Sequence, residues 1–384
     1  MRELFLLDPE VCFLNHGSFG ACPRPVFERY QAWQAQLERQ PVAFLDPERG
    51  YGQWMGETRQ ALAAVLGAEA DDIVVCMNAT TGLNLVARSL PLAPGDEILT
   101  SDHEYAALEK TWSFVAKRTG ARIVPVEIPL PLESATQFED AMIGAMSDRT
   151  RVLFLSQITS PTALCFPLTG VIAEARRRGT FTVIDGAHSP GHVPLDLDAL
   201  GADFFVGNCH KWLLSPKGAA FLYARKEWQS LLNPLIISHG WQLDREAPGP
   251  FGGSPFVDAM EIQGTRDPAA WLTVPAAIQF QSAYDWPQIA ASCSALAFET
   301  AQRIAGLCGT ALLASRPYLA PQMVSVPLPI RDGAAFQSAL YQHYGIEIPI
   351  VPWKAAYYLR LSVQCYNNQS ELDGLVAAVA ELLE

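Results

Sequence analysis

Phe204-Phe-Val-Gly-Asn-Cys-His-Lys-Trp212 is an apolar, β-prone run that ends in Gly207 and is followed four residues later by Lys211. Ligands of an open α/β sheet bind beyond the carboxyl ends of its strands. A lysine there can join a carbonyl compound as a Schiff base when burial or nearby cations keep its amine unprotonated. The plain alternative is a lysine on a surface loop. The chain has only six lysines, Lys110, Lys117, Lys211, Lys217, Lys226 and Lys354, so the surroundings of each merit attention.

Upstream, Phe181-Thr-Val-Ile-Asp-Gly-Ala-His-Ser-Pro190 has the same form. An apolar strand ends in Asp185, and His188 follows. A carboxylate at the end of a central strand is costly without a cation. A protonated pyridine nitrogen would supply one, while a helix N-cap is the other reading. Asp185 precedes Lys211 by 26 residues, room for one strand and its connection. Further upstream, Met77-Asn-Ala-Thr-Thr-Gly-Leu-Asn84 joins a strand pattern to a helix pattern. Its small and hydroxyl residues suit either an anion held at a helix N-terminus or simple capping by Thr80 or Thr81.

These segments sit in an alternation that runs from about residue 70 to 225. Strand patterns at 73–77, 97–100, 123–128, 152–156, 180–185, 204–207 and 219–224 alternate with amphipathic stretches such as 105–119 and 170–178. Such alternation predicts βα units and a mostly parallel sheet with helices on both faces. Residues 231–266, with Ala247-Pro-Gly-Pro-Phe-Gly-Gly-Ser-Pro255, break the pattern and read as a long loop. Helix patterns to about 284 and from 286 to 306 follow. Strands near 323–327, 347–350 and 358–362 then alternate with helices at 334–343 and 370–383, a smaller α+β unit.

Hydrophobic residues make up 49% of the 384 and charged residues 17%, which excludes disorder. A net charge of −13 with no basic patch argues against nucleic acid. No apolar run is long enough to span a bilayer, and the N-terminus lacks a secretory pattern, so a cytoplasmic protein with no membrane partner is expected. The eight cysteines are irregularly spaced without C-x-x-C, so reduced thiols are expected and no metal site is indicated. A nicotinamide-linked oxidoreductase lacks its G-x-G-x-x-G, and Gly17-Ser-Phe-Gly20 is not a hydrolase elbow.

The phosphate cradle, acid and lysine, in that order, resemble the class V aminotransferase group of pyridoxal 5′-phosphate (PLP) enzymes, relatives of the cysteine desulfurases. Phe13-Leu-Asn-His-Gly-Ser-Phe-Gly20 and Ser101-Asp-His-Glu-Tyr105 look most like the isopenicillin N epimerase-like branch. The resemblance implies the aspartate-aminotransferase-like α/β fold. Residues 1–20 would form a segment near the active site. Residues 21–284 would form a large PLP-binding domain with a mostly parallel seven-stranded sheet, and 285–384 a small C-terminal domain.

It also implies roles. Lys211 matches the Schiff-base lysine and Asp185 the acid on the pyridine nitrogen. His188 and Gln157 match positions near the phenolic oxygen, and His103 the aromatic ring stacked on the pyridine. Thr80 and Thr81 match the phosphate cradle. Asn208 and His210 match phosphate contacts, although a serine is usual at the former. Gly264 and Thr265 match a phosphate contact across a homodimer with shared active sites. Arg360 matches the arginine that binds the substrate α-carboxylate, and its planar fork suits that task; otherwise it is a solvent-facing strand residue. Asn15 and His16 would close over the substrate. The implied activity is chemistry at the α-carbon of an amino acid or derivative. Lys211 would act as base, and His103 or Tyr105 as acid on the opposite face for epimerisation. Transamination stays open beside epimerisation, and a C–S lyase or cysteine desulfurase-like lyase is the alternative, though Ile348–Ala356 lacks the desulfurase cysteine. A non-catalytic PLP-binding protein is the reading from another class.

Overall fold

The computed structural model describes residues 1–244 and 247–384. A short strand, β1 (Cys12–Phe13), precedes the central sheet of β2 (Ile73–Cys76), β3 (Glu97–Ser101), β4 (Arg122–Val126), β5 (Thr150–Ser156), β6 (Phe181–Gly186), β7 (Phe204–Asn208) and β8 (Ala220–Ala224). The order is β2-β8-β7-β6-β5-β3-β4. β7, β6, β5, β3 and β4 run parallel, and β8 is antiparallel to both its neighbours. The predicted strands are all present.

Both faces of the sheet are covered, which is why its strands read as unbroken apolar runs. Side chains alternate between faces. Val74, Val206 and Leu222 join Leu83 and Trp112, from helices 79–89 and 106–119, in one apolar cluster. Val75, Phe205 and Phe221 join a second, with Leu62, Phe138 and Val171 from helices on the opposite face.

The C-terminal part adds β9 (Met323–Leu328), β10 (Ile346–Glu347), β11 (Ile350–Trp353) and β12 (Ala356–Ser362). β11, β12 and β9 form a small antiparallel sheet backed by helices Trp286–Cys308 and Gln369–Leu383. The expected strand near 347–350 is split in two. β10 pairs in parallel with β1, tying the N-terminus to this unit. The second apolar cluster continues into it through Ala301, Val324, Leu359 and Leu372.

The 231–266 loop holds one helix the glycine and proline content hid, Pro255–Glu261. Ser254 caps it and Pro255 occupies its first turn, a helix-start pair rather than a break. Among the described residues, no helix is long and apolar enough to cross a membrane. All eight cysteines are unpaired.

Candidate active site

β5, β6 and β7 end side by side. Ser156 pairs in register with Asp185, and Gly186 with Gly207. Because these strands are parallel, Ser156, Asp185 and Asn208 reach one edge together. A cavity of about 530 Å³ opens there, lined by these three and by Asn78, Thr80, Tyr105, His188, His210, Lys211, Lys217, Ser160, Ser18 and Arg360.

Lys211 follows β7 directly. Its Nζ lies 3.0 Å from Nε2 of His188. Burial, reinforced by the positive charge of Arg360, lowers its pKa to about 7. Asp185 is 4% exposed and accepts a 2.8 Å hydrogen bond from the Ala187 N–H. Burial raises its pKa to about 6. Among the described residues it has no ion-pair partner. The helix that begins at Ala79 is capped by Asn78, whose side chain accepts from the Thr81 N–H at 2.9 Å. The cap is therefore Asn78 rather than either threonine. Thr80 lines the cavity, while Thr81 is occupied with the cap. Asn208 accepts from the Ala79 N–H at 2.8 Å and joins β7 to this helix start.

Arg360, on β12, is 6% exposed. It donates from Nη1 to the carbonyl oxygen of Ser160 (2.7 Å) and from Nη2 to Ser18 Oγ (2.9 Å). Its Nε is buried with no acceptor, and no carboxylate pairs with it among the described residues. Burial pulls its pKa down to about 10. A buried arginine with unused donors facing a cavity is suited to a carboxylate ligand.

Several expected site residues lie off this cavity. His103 is not on the cavity wall. Its ring is fully buried, stacks on Trp353 (4.4 Å between centroids, 28°) and lies edge-on to Phe166. Its Nδ1 is 2.8 Å from Thr162 Oγ1. A turn at Asp102–His103 ends the strand alternation, so His103 goes behind the wall and Tyr105 faces the cavity. Asn15 and His16 do not line it either. Asn15 donates to Glu347, and His16 is sealed between Tyr366 OH (2.9 Å) and the Lys211 carbonyl (3.1 Å). Gly17, Ser18 and Phe19 reach the cavity instead. Gly264 and Thr265 lie beside a separate cavity of about 210 Å³ with Tyr51 and Arg266. Gln157 sits between the cavity residues Ser156 and Ile158, with Oε1 buried and unpartnered.

The sequence reading did not assign Glu104, Ser18, Ser160 or Lys217. Glu104 is buried and accepts from Ser101 Oγ and Ser156 Oγ, both at 2.6 Å. Burial lifts its pKa to about 8. Lys217 donates to the Gly20 carbonyl at 3.0 Å; the scarcity of lysines was the signal that could have found it.

The family model for aminotransferase class-V matches residues 23–375. The chain belongs to that family. It is 37% identical to the isopenicillin N epimerase of Amycolatopsis lactamdurans, over 99% of this chain and 97% of that one. It is 28% identical to a probable chloroplastic L-cysteine desulfhydrase of Arabidopsis thaliana, over 98% and 84%. Among solved structures it resembles a C-DES variant with glycine covalently linked to the PLP cofactor (TM-score 0.82, 21% identity, 99% of each chain), a likeness in fold.

Class V enzymes use PLP, and the cavity fits it. Asp185 is a buried acid with no ion-pair partner among the described residues, a place that a pyridinium would fill, and Gln157 Oε1 is a buried acceptor with no donor there. The helix start at Ala79 with Thr80, Asn208 and His210 can take the phosphate, and Lys211 can hold the aldehyde carbon. The bound cofactor supplies an electron sink for charge that develops at a substrate α-carbon.

Proposed function

We propose that this enzyme inverts the α-carbon of an amino acid or amino-acid derivative, as an isopenicillin N epimerase-like member of the class. The observation that carries the reading is a single cavity lined by both Lys211 and Tyr105, with Arg360 buried beside them and paired with no carboxylate among the described residues. In this reading Arg360 fixes the substrate carboxylate. Lys211, whose amine is half unprotonated near neutral pH, removes the α-proton. Tyr105 returns a proton on the other face. A 37% identity over 99% of the chain to an epimerase supports the same reaction.

The reading extends to a cytoplasmic homodimer. Its supports are eight unpaired thiols, which suit a reducing compartment, and Gly264–Thr265 lying off the chain's own cavity, free to meet a partner's phosphate. Residues 1–20 would serve as the site segment, 21–284 as the large domain and 285–384 as the small one.

A C–S lyase is the second reading, favoured by the desulfhydrase relative. A persulfide on the protein is not part of it. No cysteine lines the cavity among the described residues, and the stretch 348–356 that leads through the β11–β12 turn toward Arg360 holds none.

Proton NMR of the PLP-loaded enzyme with L-amino acids, including sulfur amino acids, in deuterium oxide tests both. Loss of the α-proton with an intact skeleton and appearance of the D-isomer supports epimerisation. Keto acids or cleaved side chains overturn it, the latter in favour of a lyase.

A further inference from the structure

Arg360 Nη2 donates to Ser18 Oγ (2.9 Å), Ser18 Oγ donates to Asn15 Oδ1 (2.5 Å), and Asn15 Nδ2 donates to Glu347 Oε1 (2.9 Å). Every donor in this series points the same way, from a buried cation to a carboxylate. A hydroxyl and a primary amide can relay polarity in that sense because each donates and accepts. Asn15, Ser18 and Glu347 are half-buried, and aligned hydrogen bonds partly shielded from water polarise one another.

We propose that Ser18, Asn15 and Glu347 form a positioning chain that orients Arg360 and partly neutralises it, so that the guanidinium is held ready for the substrate carboxylate without a direct counter-ion. The proposal rests on the reading of Arg360 as the carboxylate binder. A carboxylate placed directly on Arg360 would compete with the substrate. A wholly unpaired arginine would bear the full cost of burial. Compensation through two intervening side chains avoids both, and leaves Nε and further N–H groups free for the ligand.

The fold explains how the chain is assembled. β1 pairs with β10 so that Phe13 lies opposite Glu347, and Leu14 accepts from the Ser362 N–H at 3.0 Å. This lays residues 14–18 along the end of β12, which bears Arg360. The same segment holds the Lys211 loop, through His16 Nε2 on the Lys211 carbonyl (3.1 Å) and Gly20 on Lys217 Nζ (3.0 Å). Residues 15–20 therefore fix the separation between the carboxylate anchor and the base. Ser18 serves the first function and His16 the second.

The test measures steady-state constants and the binding of L-alanine and L-cysteine, read from the absorption of the bound cofactor. It compares Ser18→Ala, Ser18→Thr, Glu347→Gln and Arg360→Ala. Circular dichroism and thermal melting establish that each is folded. Ser18→Ala should raise KM and the dissociation constant about tenfold, the range of a hydrogen bond to a charged group, with kcat within about twofold. Ser18→Thr, which keeps the hydroxyl, should restore most of the loss. Glu347→Gln should weaken binding less, about threefold. Binding unchanged in Arg360→Ala would remove the carboxylate-binder reading itself. Weaker binding in Arg360→Ala, with Ser18→Ala and Glu347→Gln like the parent, would overturn the chain alone. Should Ser18→Ala fail to fold, Glu347→Gln carries the decision.

Discussion

Trp212 Nε1–H points at Nδ1 of His188 at 3.4 Å, and the other ring nitrogen, Nε2, lies 3.0 Å from Lys211 Nζ. Burial and the nearby Lys211 charge hold the His188 pKa well below its usual value, so the ring is neutral. With Nδ1 accepting, the ring proton belongs on Nε2, where it is donated to the lone pair of an unprotonated lysine. Tautomer and burial thus favour the same state of Lys211.

Capture of PLP by the apoenzyme needs the free amine, so its rate should rise between pH 6 and 8 with a midpoint near 7, far below the ordinary lysine value of 10.5. Stopped-flow absorbance measures it; a midpoint above 9 contradicts the assignment. Between about 7 and 10.5 the unfolded chain binds a proton at this lysine that the native chain does not, so apoenzyme stability gains with pH there. Lys211→Met should lose that share of the slope in urea titrations at several pH values.

Tyr105 and His103 should separate cleanly. Tyr105→Phe should lower epimerisation about a hundredfold, the lower range for a general acid. Exchange of the α-proton with solvent deuterium on the Lys211 face should persist, giving labelled substrate of unchanged configuration. His103→Ala should leave the stereochemical outcome intact and cost roughly 2–4 kcal/mol of stability, because it empties a packed site beside Trp353 and Phe166. Loss of inversion in His103→Ala alone would reverse the assignment.

Arg360→Lys preserves charge but not the fork. We expect KM to rise roughly 10- to 150-fold, about 1.5–3 kcal/mol for hydrogen bonds to a charged group, with cofactor absorption unchanged. A fold-neutral variant with unaltered KM would remove Arg360 from the substrate.

Gly20 should not tolerate a side chain. Its φ of +70° and ψ of 165° suit glycine, and a Cβ would strike the His210 carbonyl oxygen, backbone that cannot swing aside. Gly20→Ala should lift the N-terminal segment from the Lys211 loop. A faster release of PLP and a KM increase in the same variant, measured by dialysis and kinetics, are the expected results.

Much of this molecule is legible in one dimension. Fully covered strands such as Phe204–Asn208 must be apolar on both faces, so βα alternation marks the parallel sheet without any knowledge of contacts. The carboxyl end of a strand is a defined place, which is why Asp185 and Lys211 could be picked out before the sheet was assembled. Helix Pro255–Glu261 was missed because its capping pair lies within a glycine- and proline-rich loop.

The sequence by itself determined the order of strands and helices, the acid and lysine at strand ends, and the small-residue helix start, since each follows from local period or from the chemistry of a single turn. Only the tertiary structure decided which neighbours share the cavity. His103 and Tyr105 are two residues apart, and a turn settles which faces inward. Ser18 meets Arg360 across 342 residues because β1 adds itself to β10. Such contacts depend on which strand edges meet and how turns aim the side chains beyond them, and no local periodicity carries that information.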